Sequence, residues 1–530
     1  MKPQIVNIIN FIRGAEPRLP ELDLVKPVVG QIRLLKRYKL PGTFLLQYDA
    51  LMQDRFIELL KAEPEEGFEI GIWLEIVKPL VEKAGLEWRG REGFSWDWHS
   101  DVGFSVGYRP EERERLIDIV MEDFRRIFGS YPKSVGSWLI DAHSLGYMAD
   151  KYKITASCNC KDQWGTDGYT LWGGYYNQAY YPSRSNVFSP AQNRENQIRV
   201  PVFRMLGSDP IYQYDAGMDD ESNPSGCQPV ITLEPVYARG GGSPEWVRWF
   251  FRENFNGTCL SFGYAQAGQE NSFGWEAMSN GLADQMALIA EKAKNGEVRV
   301  ETLRSSAEWF KANYDVTPAS VVAALSDWKN EGRKSIWYSS RFYRVNFYMD
   351  KENIRIRDIQ LFDENYRERY IDSPCKAKDM VYDNLPVMDG NRWSSDHLRA
   401  GIRFVAMKKG GAVEELTVES LSAREINGHA LTICVLLKQG GNIFIHCYEK
   451  EISINFQEGE NCGQLGLYFQ WSDKAGTAIS EINHEAVKYI YNGHKYSMRP
   501  VQGRILKTEH KNRFMIYPDH QRITLGFDLR

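Results

Sequence analysis

The chain changes its hydrophobic rhythm once. Over roughly the first 310 residues, short apolar runs alternate with longer segments whose apolar residues recur every three to four positions, the pattern of successive βα units. Strand-like runs lie at 5–12, 43–47, 68–74, 135–140, 154–158, 198–203 and 258–264, with a shorter one at 298–303. Between them, Val25, Val28, Val29, Ile32 and Leu35 mark one buried helix face, and Leu116, Val120, Phe124 and Ile127 mark another. That second helix starts at Pro110, carries Glu111, Glu112 and Glu114 early and Arg125 and Arg126 late, and stops before Gly129. Its charges therefore complement its own dipole. Ser243-Pro244-Glu245 opens a further helix with Trp246 and Phe250 to bury.

Seven or eight such units predict a (β/α)7-8 barrel. An open sheet that binds a dinucleotide would carry Gly-x-Gly-x-x-Gly after its first strand, and none is there. Gly240-Gly241-Gly242 lacks the Lys-Ser/Thr of a phosphate loop and reads as a flexible turn. From about residue 336 the period falls to two. Tyr343, Val345, Phe347 and Met349 alternate with Arg344, Asn346 and Tyr348, and Ile354 and Ile356 return after a polar turn. Leu431, Ile433, Val435 and Leu437 turn at Gly440-Gly441-Asn442 into Ile443 and Ile445, and Val487, Tyr489 and Tyr491 meet Asn492-Gly493, a strong hairpin signal. Such hairpins need a second sheet over their apolar face, so an all-β, β-sandwich-like region is expected. The expected division is a barrel over 1–315, which would hold the active site, and a C-terminal β domain over 316–530, with 315–333 as the linker.

Composition supports two globular units and excludes several partners. A chain of 530 residues exceeds what one hydrophobic core usually organises. With net charge −5 and no run of basic residues, neither nucleic acid nor an anionic membrane surface is an expected partner. No apolar stretch approaches the ~20 residues that cross a bilayer. Met1-Lys2-Pro3 runs straight into a strand-like segment, so no signal peptide is read and a cytoplasmic or periplasmic location is expected. The eight cysteines form no Cys-x-x-Cys pair and are expected as free, mostly buried thiols. Cys158-Asn159-Cys160 would bind metal only if other ligands came near.

In a barrel of parallel strands, chemistry gathers at the C-terminal strand ends. The polar residues there are Asn10, Arg13 and Glu16 after the first strand, Gln47 and Asp49 after the second, and Glu75 after the third. The fourth delivers Trp138, Asp141 and His143, with Ser144 placed to cap the next helix. The sixth is followed by Arg204 and Asp209, and the seventh by Gln269, Glu270 and Asn271. Carboxylates converging on one mouth repel, so some pair with arginine or stay protonated, which separates acid from base. The loops are rich in aromatics: Trp96-Asp97-Trp98-His99 follows the third strand, and Trp164 and Trp172 follow the fifth among several tyrosines. Such rings suit sugars, whose C–H faces pack on a π face while their hydroxyls seek polar partners. His99 and His143 are the only histidines of the barrel half, each two positions from an aspartate. With Asp49 they compose an alternative site for one divalent metal such as zinc.

At these residues the barrel half, over about 4–312, resembles the seven-stranded carbohydrate-enzyme superfamily that holds polysaccharide deacetylases and the glycoside hydrolases of families 57 and 38. Asn10-Phe11-Ile12-Arg13-Gly14, together with Trp337-Tyr338-x-x-Arg341-x-Tyr343-Arg344-x-Asn346, is similar to a bacterial family that joins such a barrel to a β domain, a match that implies no established activity. The deacetylases' Thr-Phe-Asp-Asp is here Thr43-Phe44-Leu45-Leu46, and their His-x-x-x-His is missing. Family 57 places a nucleophilic carboxylate after strand four and an acid/base carboxylate after strand seven, positions held here by Asp141 and Glu270. The resemblance thus implies glycoside hydrolysis with Asp141 and Glu270 as the catalytic pair, without a cofactor. Arg13, Asp49, Glu75, Trp96, Asp97, Trp98, His99, Trp138, His143, Trp164 and Trp172 are expected to bind the carbohydrate. The alternatives are a metal-dependent deacetylase on Asp49, His99 and His143, and a glycan-binding protein without catalysis.

Overall fold

The structure is a computed structural model that describes residues 2–218, 226–407, 413–458 and 464–527. Its N-terminal sheet is nine-stranded: seven parallel strands follow in the order Gly263–Ala267, Gln4–Ile12, Gly42–Leu46, Phe68–Trp73, Ser134–Gly136, Ala156–Asn159 and Val202–Arg204, with Ala179–Tyr180 antiparallel at the end. A short ninth, Arg299–Glu301, pairs with the beginning of the first strand, and the second strand takes over from Ile9 onward. This is the barrel that the alternation predicts. Among the described residues no backbone ladder joins Val202–Arg204 to Gly263–Ala267. The side chain of Gln266 spans that gap: its Oε1 accepts from the Leu206 N–H at 2.8 Å and its Nε2 donates to the Ala267 carbonyl at 2.7 Å.

The sixth strand runs from Val202 to Arg204 where the sequence pattern suggests 198–203, and three further boundaries differ in ways that shape the strand ends. The fourth strand stops at Gly136, so Ser137 to Ile140 leave the ladder and Trp138 is free to turn over the barrel. The fifth runs from Ala156 to Asn159, later than the apolar run suggests. The seventh begins at Gly263 and ends at Ala267. Gly268 follows with φ 103°, where an added Cβ would stand 2.1 Å from the Ile9 carbonyl, so only glycine turns the chain there and aims Gln269 and Glu270 across the barrel top.

Helices Val25–Tyr38, Pro110–Phe128, Pro244–Asn256, Trp275–Lys294 and Leu303–Asn313 lie between strands. Pro110–Phe128 buries Leu116, Val120 and Phe124 and ends on Gly129 in the left-handed region, as its sequence predicts. The last of these helices ends at Asn313, and the segment expected to be a linker already contains Ser320–Ala324, the edge strand of the next sheet.

The C-terminal half is all β. A ten-stranded sheet runs from Ser320–Ala324 through Tyr343–Asp350 and Gly401–Met407 to Arg504–Lys507, and an eight-stranded sheet runs from Val418–Ile426 through Glu451–Glu458 to Ile479–Ile482. Their apolar faces share one core, including Ile336, Phe347, Ile356, Ile433, Ile445 and Ile516. The Asn492-Gly493 hairpin joins Val487–Tyr491 to His494–Gln502.

The halves interlock. Strand Met380–Asp383 pairs in parallel with Tyr169–Trp172, which itself returns from Gln163–Thr166, so a three-stranded sheet from both halves stands over the barrel. Cys375, Met380 and Tyr382 pack into the barrel's own core. The cysteines within the described residues are free thiols, and Cys462 lies outside those residues. No helix among the described residues is long and apolar enough to cross a membrane.

Candidate active site

The strand ends open on a cavity of about 270 Å³. Its floor is aromatic. Phe11 and Trp73, from the first and third strands, stack at 4.0 Å, and Trp138 meets both edge-on at 5.2 and 5.3 Å. Trp98, Phe104, Tyr169, Tyr237 and Phe273 continue the wall towards the solvent.

One arginine organises the polar side. Arg13 leaves the end of the first strand, is 2% exposed, and lies over the Trp96 ring at 4.0 Å. Its Nε and Nη2 donate to both oxygens of Glu75, at 3.3 and 3.1 Å, and its Nη1 donates to Glu270 Oε1 at 3.0 Å. Gln47 Nε2 holds Glu75 from behind at 2.6 Å. Burial disfavours the guanidinium charge, but Glu270 and Glu75 outweigh it and hold Arg13 above the ordinary arginine value.

Glu270 is 4% exposed and lines the cavity. Its Oε1 accepts from Ser272 Oγ at 2.5 Å as well as from Arg13. Its Oε2 lies 2.9 Å from Arg13 Nη1 but has no hydrogen-bond donor among the described residues. Burial outweighs Arg13 and Ser272 and pushes this carboxyl up to about 7. Two more carboxylates share the cavity. Glu234 is buried and accepts from Thr232 Oγ1 at 2.8 Å and, at 3.4 Å, from Gln269 Nε2; burial raises its pKa. Asp167 sits exposed at the tip of the turn between Gln163–Thr166 and Tyr169–Trp172, at φ 50°.

No protein-family model and no curated protein sequence matches the chain. Among solved structures, a Parabacteroides distasonis protein provisionally described as a glycoside hydrolase/deacetylase superposes with a TM-score of 0.53. The match covers 72% of this chain and 91% of that one at 16% identity. The two share a fold. Proteins provisionally described as polysaccharide deacetylases, from Mycobacterium smegmatis and Pseudomonas aeruginosa, align with TM-scores of 0.35 and 0.36 at 14% and 11% identity. Each alignment covers 59% of this chain, and 91% and 93% of the other.

Of the residues singled out in the sequence, the structure brings Arg13, Glu75, Trp96, Trp98, Trp138 and Glu270 to the cavity. Asp141 does not join them. It caps helix Ala142–Tyr147, accepting from the Ser144 N–H and Oγ at 2.9 and 2.7 Å, from Ser105 Oγ at 2.6 Å and from Arg113 Nη1 at 3.0 Å. Although burial opposes it, Arg113 and the two serines hold this carboxylate below its usual range. The cap is Asp141 itself, with Ser144 as its donor, the reverse of the role expected for Ser144. Asp97 is buried against Arg91, whose Nε donates at 2.9 Å. Trp164 and Trp172 pack with Tyr214 and Trp337 against the β half, and Trp172 Nε1 donates to Asp389 at 3.0 Å.

The alternative metal trio is not assembled. Asp49 Oδ1 accepts from the Gly14 N–H at 2.9 Å, His99 Nδ1 lies 3.2 Å from Asp97, and His143 Nε2 lies 3.0 Å from Glu114. Among the described residues no group of three or more His, Cys, Asp or Glu is arranged to hold a metal ion. At the cavity Glu75 and Glu270 are already paired with Arg13, so these two carboxylates do not fit a divalent metal there.

Asp167, Glu234 and Tyr237 follow no barrel strand directly, so a search of strand ends passes over them. One signal was present. Gly240 to Gly242 is a close-packed turn rather than a flexible one: a Cβ on Gly241 would stand 2.1 Å from the Leu233 carbonyl, and its N–H donates to the Thr232 carbonyl at 2.7 Å. The glycine run therefore clamps the segment that carries Glu234.

Proposed function

We propose that this cavity is the active site of a carbohydrate-active hydrolase that cleaves a glycosidic bond, with Glu270 as general acid. The carrying observation is Glu270 itself: buried, pushed up to about 7, and lining an aromatic-walled cavity. A carboxyl that keeps its proton near neutral pH is what departure of a sugar alkoxide requires. Glu270 gives its proton to the glycosidic oxygen as the bond from that oxygen to the anomeric carbon breaks. Asp167, on the overhanging turn, supplies the second carboxylate, which assists attack on the anomeric carbon, and water completes the hydrolysis. Arg13 holds both oxygens of Glu75 in place and limits how far the Glu270 pKa rises.

The shared fold with a protein described as a glycoside hydrolase/deacetylase supports a carbohydrate substrate. A binding protein without catalysis would use the aromatic walls but gives the raised Glu270 carboxyl no work, and Asp49, His99 and His143 of the deacetylase alternative are not brought together. Because the acid form of Glu270 is the active one, kcat on an oligosaccharide substrate is expected to hold below about pH 7 and to fall as pH rises through that value. Glu270→Gln is expected to lower kcat by about 10²–10⁴-fold and to remove that alkaline limb. A full-rate Glu270→Gln enzyme, or an unchanged limb, contradicts the assignment.

A further inference from the structure

The charges around the cavity narrow the kind of sugar it takes. Four carboxylates line it, Glu75, Asp167, Glu234 and Glu270, and the basic residues lining it are Arg13 and Arg18. Both guanidiniums are already committed. Arg13 serves Glu75 and Glu270, and Arg18 donates its Nε and Nη2 to the two oxygens of Glu16, each at 2.7 Å. Glu234 and Asp167 have no ion-pair partner among the described residues. Lys161 is buried behind the wall, donates to the Asp162 carbonyl at 3.1 Å and does not line the cavity. The sequence 219–225, outside the described residues, holds no Lys, Arg or His.

Glu234 is buried without an ion-pair partner, which is costly, and the cost is relieved by a cation that arrives with the ligand; Asp167 adds a second carboxylate at the exposed rim. A second feature points the same way: the cavity that Glu234 and Asp167 line is walled with aromatic rings. The rings of Trp98, Trp138 and Tyr237 attract positive charge with their faces. A uronic acid or a sulfated sugar meets the opposite situation: repulsion from Glu234 and Asp167 and no uncommitted guanidinium.

We infer that the sugar bound here carries a protonated amine, that is, an amino sugar whose nitrogen is not acylated. This rests on the reading of the cavity as a glycan site. The ammonium offers three N–H donors, which Glu234 and Asp167 can share, while the ring lies along the aromatic wall.

The test is a titration of the full chain at about pH 6.5 and low salt, read by calorimetry and by tryptophan fluorescence. The probes are tetrasaccharides of glucosamine, N-acetylglucosamine, glucose and galacturonate. The glucosamine tetramer is expected to bind about tenfold or more tighter than the two neutral ones, as charge-assisted contacts should give. Added salt should weaken that preference, Glu234→Gln and Asp167→Asn should each reduce it, and galacturonate should give no saturable signal. Equal affinity for neutral and cationic tetramers, or tighter binding of galacturonate, overturns the amine inference and leaves the glycan reading standing. Failure of every saccharide to bind overturns both.

Discussion

Arg13 and Asp141 show how far single residues could be read. Arg13, Glu75 and Glu270 were legible because each follows directly on a buried strand, and parallel strands of one barrel must end on the same face. Asp141 follows a strand by the same logic, yet Asp141-Ala142-His143-Ser144 is equally a helix cap, and the buried Arg113 decides between the two uses. Nothing near Asp141 in sequence announces Arg113, which arrives from another helix. A structural role gives a definite expectation for Asp141→Asn. The amide still caps the helix but leaves Arg113 without its counter-charge, so stability should fall by about 3–5 kcal/mol. The kcat of the molecules that remain folded should stay within a few-fold of the parent. Denaturant unfolding combined with active-fraction kinetics measures both, and a stable but inactive variant would return Asp141 to the chemistry.

At the level of elements, the period of the pattern settled which segments are strands and helices, and tertiary contacts settled where they stop. The aromatic loop after the fifth strand, whose Trp164 and Trp172 are expected to bind the carbohydrate, divides. Gln163, Thr166, Asp167 and Tyr169 face the cavity, whereas Trp164 and Trp172 turn to the β half. Alternation along a two-stranded turn sends neighbouring side chains to opposite faces, and the sequence did not show that a second body covers the outer one. That hairpin is held by ions from both sides. Asp162 pairs with Arg204 of the sixth barrel strand at 2.5 Å and with Arg344 of the β half, whose Nε also reaches Asp358 at 2.7 Å. Arg344→Met is therefore expected to loosen the turn that carries Asp167. The readout is faster proteolytic cleavage within residues 163–172 at unchanged far-ultraviolet circular dichroism. Cleavage at the parental rate would show that the strand Met380–Asp383 alone suffices to hold the turn.

For the molecule as a whole, the change of hydrophobic period near residue 336 separated barrel from β region, but it hid how closely the two depend on each other. Beyond the shared three-stranded sheet, Glu368 of the β half accepts from the backbone N–H groups of Ala142 and Val187 at 3.0 and 2.9 Å. The halves are thus joined through buried polar contacts as well as through apolar packing. A fragment of residues 1–315 would expose Phe104, Tyr169 and the outer side of the hairpin, and is expected to lose fixed tertiary structure, seen as a collapsed near-ultraviolet dichroism signal. A fragment with the parental signal would show the barrel to be independent. If Glu270 protonates a leaving sugar, the effect of replacing it depends on the leaving group. Parent and Glu270→Gln should be compared on an oligosaccharide and on a dinitrophenyl glycoside of the same sugar, whose phenolate departs without a proton. Glu270→Gln is expected to lose about 10²-fold or more on the oligosaccharide and little on the aryl glycoside. Equal losses on both substrates would contradict proton donation by Glu270.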